Sequence, residues 1–337
     1  MARQETEQLT QMILNALLAR AVCTLADLGV ANQITPGSPR SAAYLAKATG
    51  AHEQALYRTL RLLASHGVFK ESRSGEFDHT PLSIALRADD EASFDAGARM
   101  FHHMFRSMDG LDHTIRTGEP GVNKILGKPL FELLKDRPEL AAVFDAGMTS
   151  FHGTETGAML EAYDFSGIGV LADIGGGNGS LLSRVLQRYP QMRGILFDLG
   201  HVLARARHSP IIQSLGDRCE LLEGNFFEAV PPGADAYLLR HVLHDWTDEQ
   251  CATILGHCRR ALPEHGRLLV VECVVPAGNE RSISKDYDIL MMFGPGGLER
   301  TESEFRALLE RSGFRLRSIT PTSSMVSVIE AGPVPME

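Results

Sequence analysis

Two periodicities divide the chain. Up to about residue 163, apolar positions recur every three to four residues, the spacing of a helix face. Leu9, Met12, Ile13, Ala16 and Leu17 make one such stripe. Ser41–Thr49 followed by His52–Ser65, with Leu56, Leu60 and Leu63 on one face, predicts a helix-turn-helix. Gly67–Glu71 and Glu76–Thr80, around a turn at Ser72–Gly75, predict a two-stranded wing. Met100, Phe101, Met104, Phe105 and Met108 form a further stripe, and Pro138 suits the first turn of a helix with Phe144, Met148 and Phe151. Beyond Gly169 the pattern changes to short apolar runs alternating with helical segments. The strands predicted are Val170–Ile174, Gly194–Asp198, Cys219–Glu223, Ala236–Arg240 and Arg267–Val275, with helices at 178–189, 201–214 and 248–262. Such alternation predicts a parallel sheet with helices on both faces. Phe314–Ile319 and Met325–Ile329 complete the sheet. Thr247–Gln250 and Thr301–Glu304 are capping boxes, and Gly313 is a helix stop.

Charge and cysteine content narrow the classes. The formal net charge is −9, the wrong sign for a general nucleic-acid binder. Residues 1–90 hold nine basic and nine acidic side chains, so the predicted winged helix has no excess positive charge to neutralise phosphates. Packing or dimerisation is its expected role. No unbroken apolar run reaches the roughly 18–20 residues that span a membrane, and the polar N-terminus lacks a signal-peptide layout. Five cysteines without a CxxC pair fit reduced thiols in the cytoplasm. No His/Asp/Glu spacing predicts a metal site.

The chemistry concentrates after Gly169. In VLADIGGGNGSLL (170–182) a strand ends in Asp173, a glycine cluster follows, and a helix begins. Gly175 and Gly177 fit the first part of a dinucleotide fingerprint, but Ser180 stands at its third glycine and no P-loop lysine follows. Asp198 ends the next strand, where a carboxylate can accept both hydroxyls of a ribose. These features suit a nucleoside without a diphosphate, such as S-adenosylmethionine. LLRHVLHDW (238–246) places His244 just past another buried strand, at the same sheet edge.

ADIGGGNGS, the YP after its helix, FDLGHV, GNFFE, LLRHVLHDWTDEQC, ALPEHGRLLVVECVVP and GPGGLERTESEF occur in that order. Together they resemble the S-adenosylmethionine-dependent O-methyltransferases of the caffeic acid / hydroxyindole type, over nearly the whole chain. The resemblance implies an α/β fold: a Rossmann-like methyltransferase sheet behind an N-terminal, mostly helical winged-helix dimerisation domain. The expected spans are 1–90 for that domain, 91–163 for a helical connector at the substrate pocket, and 164–337 for the catalytic domain. It further implies His244 as general base, flanked by Glu272 and Glu299. Cofactor contacts fall on Asp173, Gly175, Gly176, Gly177, Asp198, Leu199, Asn225 and Phe226, with Arg240 near the adenine. Substrate positions fall on Phe144, Met148, Asp245, Ile289 and Leu290. The implied partners are a hydroxylated aromatic molecule and a second copy of the chain, paired through the N-terminal helices, with neither nucleic acid nor membrane. Three residues depart from the plant pattern: Asn225 for Asp, Gly294 for a substrate-touching Asn, and Gly200 for Pro.

The chemistry is consistent with the residues. A free phenol has a pKa of about 10 and imidazole about 6.5. A histidine within hydrogen-bond reach can take the acceptor's proton as methyl transfer proceeds. A carboxylate on its other nitrogen would fix the tautomer and stabilise the imidazolium. The expected activity is therefore methylation of an aromatic hydroxyl, in secondary metabolism, yielding S-adenosylhomocysteine. Two other expectations compete: a diverged hydroxylase or decarboxylase, and a winged-helix sensor of S-adenosylmethionine.

Overall fold

The computed structural model describes residues 2–335 except Ser74, Glu91 and Thr154. The turn expected at Ser72–Gly75 therefore lies partly outside the described residues. The chain divides into two compact units, Met1–Asp109 with Lys128–Gly153, and Gly110–Gly127 with Thr154–Glu337.

The first unit begins with helix α1 (Ala2–Asp27). Helix α2 (Ala42–Thr49) starts where the Ser41 hydroxyl accepts the Tyr44 N–H, and stops at Gly50 in the left-handed region (φ 70°). Helix α3 (Glu53–Ser65) buries Leu56, Leu60 and Leu63. Strands β1 (Arg40–Ser41), β2 (Phe69–Arg73) and β3 (Glu76–His79) form an antiparallel sheet in the order β1-β3-β2. Phe69 and Phe77 fill the space between this sheet and the helices. This is the winged helix the sequence pattern predicts. Helix Asp95–Met104 lies on helix Pro138–Phe151, and Gly147 permits the contact, because a Cβ there would sit 2.5 Å from Met100 Cβ. The stripe expected through Met108 breaks earlier. The backbone tightens to a 3₁₀ turn at Phe105–Gly110, and Met108 turns outward.

The absence of a membrane-length apolar segment needs correction. Among the described residues one helix, Arg3–Asp27, is long and apolar enough to cross a membrane by length and composition. Its apolar residues are interrupted mostly by uncharged Gln, Thr and Asn, which hides it from a search for unbroken runs. Leu9, Met12, Ile13 and Leu17, all exposed, share one face of it.

The second unit is a seven-stranded sheet: β4 (Val170–Ile174), β5 (Arg193–Asp198), β6 (Cys219–Glu223), β7 (Ala236–Arg240), β8 (Arg267–Cys273), β9 (Phe314–Pro321) and β10 (Val326–Pro333). Their spatial order is β6-β5-β4-β7-β8-β10-β9. β10 alone runs against the others, antiparallel to both β8 and β9. Leu171, Ala172, Leu238, Leu239, Val270 and Val271 are fully buried. That explains why these strands read as continuous apolar runs: helices cover both faces. The helix expected over 201–214 is two helices, Gly200–Ala206 and Pro210–Leu215. Pro210 cannot continue a preceding helix and instead starts a new one. β4 pairs with β5 on one side and β7 on the other, so the chain reverses its direction of travel across the sheet beside β4. A crevice at the carboxyl ends of the strands is expected at that switch point.

Candidate active site

Five parallel strands, β4 to β8, bring chemistry to this edge. After Ile174 the chain turns through Gly175, Gly177 and Gly179, with φ of 71°, 60° and 74°, in the left-handed region that favours glycine. Gly175 N–H donates to Phe197 O (2.9 Å), tying the loop to β5. A Cβ on Gly176 would meet Leu196 Cδ1 at 2.4 Å, whereas one on Gly177 would meet nothing within 4 Å. The loop thus packs on its inner side and is open at Gly177. Asp198 is more committed than its sequence position suggests. One oxygen accepts the Gly177 N–H (2.8 Å) and the other the Leu199 N–H (2.7 Å). Asp173 is buried, and its Oδ2 has no hydrogen-bond partner. Burial pushes its carboxyl up to about 7, against the pull of the nearby Arg240 guanidinium.

Past β6, the Asn225 side chain is used locally: Oδ1 accepts the Phe227 N–H (3.0 Å) and Nδ2 donates to Glu228 (3.2 Å). Phe226 and Phe227 pack edge-on against each other and against Trp246. Arg240 donates to Thr156 Oγ1 (3.0 Å). It ends β7, three strand positions from β6 across β4 and β5. The Arg240 guanidinium also lies close enough to the Asp173 carboxyl for the two charges to interact.

The histidine loop is built around a second buried carboxylate. Glu272, fully buried on β8, accepts three successive amide protons with Oε1: Val242 (3.2 Å), Leu243 (2.7 Å) and His244 (3.2 Å). It bends the chain leaving β7 into the 3₁₀ turn Leu243–Asp245. Glu272 therefore holds the backbone of the histidine and not its ring. The ring is held by Glu299, whose Oε1 lies 2.8 Å from His244 Nδ1. Glu299 in turn is fixed by its own N–H to Asp288 Oδ1 (3.0 Å). His244 Nε2 is 3.8 Å from Asp245 Oδ1. Burial depresses the His244 imidazolium, but the Glu299 hydrogen bond and the charges of Asp245, Glu272 and Glu299 outweigh it and push the pKa up to about 9. Burial raises Glu272 to about 7 and Asp245 to about 6, with the His244 charge pulling both back.

An extended strand continued past Arg240 would carry His241 away from the His244 ring. Instead its ring lies 5.0 Å from that of His244, with Nε2 2.8 Å from Glu155 Oε2. Its φ of 53° makes it the one non-glycine residue in the left-handed region among the described residues. Such strain concentrates at functional sites. Burial, the His244 charge and the Arg240 charge hold His241 well below the usual imidazole range, hence neutral. The Glu155–His241 pair also qualifies the expectation that acids and histidines lie nowhere at ligand spacing. Ile289 (exposed) and Leu290 (half-buried) lie on helix Ile283–Phe293 of the second unit, which also carries Asp288. Phe144 and Met148, both half-buried, lie on helix Pro138–Phe151 of the first unit. Sequence reasoning also missed Arg300, fully buried beside Glu299; the ion-paired partner Asp248 was visible only as part of a capping box.

Residues 109–315 match the family model of the O-methyltransferase domain, and residues 10–89 that of the O-methyltransferase dimerisation domain. The chain belongs to the O-methyltransferase family. A phenazine O-methyltransferase from Lysobacter antibioticus is 39% identical over 327 residues, 97% of this chain and 96% of that one. A mitomycin biosynthesis 6-O-methyltransferase from Streptomyces lavendulae is 40% identical, covering 98% of this chain and 95% of that one. Among solved structures, an O-methyltransferase from neocarzinostatin biosynthesis, in complex with S-adenosylmethionine and 2-hydroxy-5-methyl naphthoic acid, superposes with a TM-score of 0.82. It is 33% identical and covers 94% of this chain and 96% of that one. The chain is thus an S-adenosylmethionine-dependent O-methyltransferase. The buried, unpartnered oxygen of Asp173 beside an open glycine loop fits the polar end of that methyl donor.

The pairing of His244 with Glu299 makes a direct prediction. Glu299→Gln keeps an acceptor at Nδ1 but removes the charge, so the His244 pKa should fall from about 9 toward the free value of about 6.5. A titration of the histidine ring resonances by NMR reads this. An unmoved pKa would assign the effect to Asp245 and Glu272 alone.

Proposed function

We propose that this enzyme methylates a hydroxyl group of an aromatic small molecule, in secondary metabolism, with His244 as the general base. The observation behind this reading is the Glu299–His244 contact at Nδ1 (2.8 Å), which leaves Nε2 as the basic nitrogen of the neutral ring. The biosynthetic relatives support the substrate class.

Asp173, Gly175–Gly177, Asp198, Leu199, Asn225 and Phe226 would hold the methyl donor, with Arg240 near its adenine. When bound, S-adenosylmethionine supplies a methyl group on a positively charged sulfur, an electrophile that needs no further activation. The remaining task of the protein is to align the acceptor oxygen and receive its proton. A His244 pKa of about 9 lies close to that of a phenol, about 10, so moving the proton between them costs little. Glu299 stabilises the imidazolium so formed. Because the free His244 pKa is raised, the basic form is the minor one at pH 7, and kcat/KM should climb as pH rises toward about 9. Asp245, Ile289 and Leu290 are proposed acceptor contacts within the second unit. The chain is proposed to act as a homodimer through α1, whose exposed stripe supports this together with the dimerisation-domain match. Five buried free cysteines support a cytoplasmic setting.

Four measurements test the reading. His244→Gln should lower turnover about 10²–10⁴-fold, the range for loss of a general base, with methyl-donor affinity nearly unchanged. A screen of hydroxylated aromatics with labelled donor supplies the acceptor, and near-normal methylation by His244→Gln would sink the base mechanism. Asp198→Ala should weaken S-adenosylmethionine binding strongly in calorimetry while the fold persists; equal affinity removes Asp198 from the donor site. Ile13→Glu with Leu17→Glu should convert a sedimenting dimer to monomer, and an intact dimer would place the interface elsewhere.

A further inference from the structure

We infer that Arg300 is a positioning residue for the reaction: it holds the loop that carries His244 by its carbonyl side. This inference rests on the proposed role of His244 as base. The guanidinium, fully buried, donates from Nη1 to Leu243 O (3.0 Å) and from Nη2 to Trp246 O (3.1 Å), the carbonyls on either side of His244 and Asp245. Its Nε and Nη2 both reach Asp248 Oδ1 (3.0 and 2.8 Å), which sets the plane of the fork. A planar, forked donor can take two carbonyls and a carboxylate at once; a lysine ammonium cannot reproduce that geometry.

The contacts continue along the same strip of chain. Leu298 N–H donates to His244 O (2.9 Å), and Glu299 holds the His244 ring. Gly297 lies so close beneath that a Cβ there would stand 1.8 Å from His244 O. Arg300 O accepts the Val275 N–H (2.9 Å), anchoring the strip to the chain leaving β8. Residues 297–300 therefore grip the loop from one side while Glu272 grips its amides from the other. Arg300 touches the loop with its side chain, at Leu243 O and Trp246 O, without touching the imidazole. If it slackens, the Glu299–His244 distance opens, and a misplacement of about 1 Å can cost about 100-fold in rate.

The test uses the whole enzyme, Arg300→Lys and, as a variant at the exposed end of the same contact, Asp248→Ala. Lysine preserves the positive charge, so a change in His244 reports geometry. The groups that face His244 are Glu299, Asp245, Glu272 and His241, and none is altered. In Arg300→Lys the His244 pKa, read by NMR, should fall by at least about one unit from its raised value as the Glu299 contact loosens, with the same trend, smaller, in Asp248→Ala. Donor affinity should stay within about twofold. With the best phenol from the labelled-donor screen, kcat should fall about 10–100-fold. An Arg300 that only supports the fold would lower the melting temperature and leave the His244 pKa and kcat per folded enzyme unmoved; that result overturns the inference. His244→Gln, run in parallel, separates the two claims. If it keeps turnover, the base reading falls and this one with it. If it loses turnover while Arg300→Lys and Asp248→Ala do not, this inference alone falls.

Discussion

A single carboxylate oxygen collecting three consecutive amide protons organises the catalytic edge of this enzyme. Glu272 Oε1 takes the N–H groups of Val242, Leu243 and His244 at the point where β7 ends. Without it, three buried donors would be left unsatisfied, at about 1–3 kcal/mol each. The turn it enforces decides where His244 stands and which way the ring can meet Glu299. It also forces the chain through His241 in the left-handed region. A strained residue and a buried charge are both unfavourable, and the sheet beneath, with β7 and β8 fully paired, supplies the rigidity that holds them.

Electrostatically, the site is a buried charge cluster in which acids outnumber bases. Glu272, Glu299 and Asp245 surround one imidazole that becomes charged, and His241 stays neutral close by. The acids raise the affinity of His244 for a proton, which is the direction a base for a weakly acidic hydroxyl requires. Burial makes each interaction stronger than it would be at the surface. The same burial raises the pKa of Glu272 and Asp245, against the pull of the His244 charge.

Much of this was legible in the sequence. The winged helix, the alternating strands and helices and the glycine turn follow from local patterning, and both capping boxes form as their spacing predicts. Glu272 and Glu299 were singled out, but their division of labour was not readable, since one letter does not say whether a carboxylate meets a ring or a backbone. The approach of His241 to His244 was not readable, because strand alternation assumes extended backbone, and the chain leaves it at that residue. Arg300 was passed over because a buried arginine and a surface arginine are the same letter, and its partners lie about fifty residues away. Pro210 was present in the sequence, yet the apolar spacing on either side masked the break it causes.

The glycine at position 297 has a consequence for how this scaffold can be reshaped. Helix Ile283–Phe293 carries Ile289 and Leu290, the proposed acceptor contacts, and runs through Gly294–Gly296 into the strip that grips the histidine loop. Gly297, which has no room for a methyl group, separates the two. A mutational library aimed at new acceptors can vary the exposed Ile289 and the half-buried Leu290, keep Asp288, which fixes Glu299, and treat Gly297 as its border. On the proposed reading, diversity on one side of that residue changes what is methylated. On the other side it would loosen the grip on His244, the proposed base.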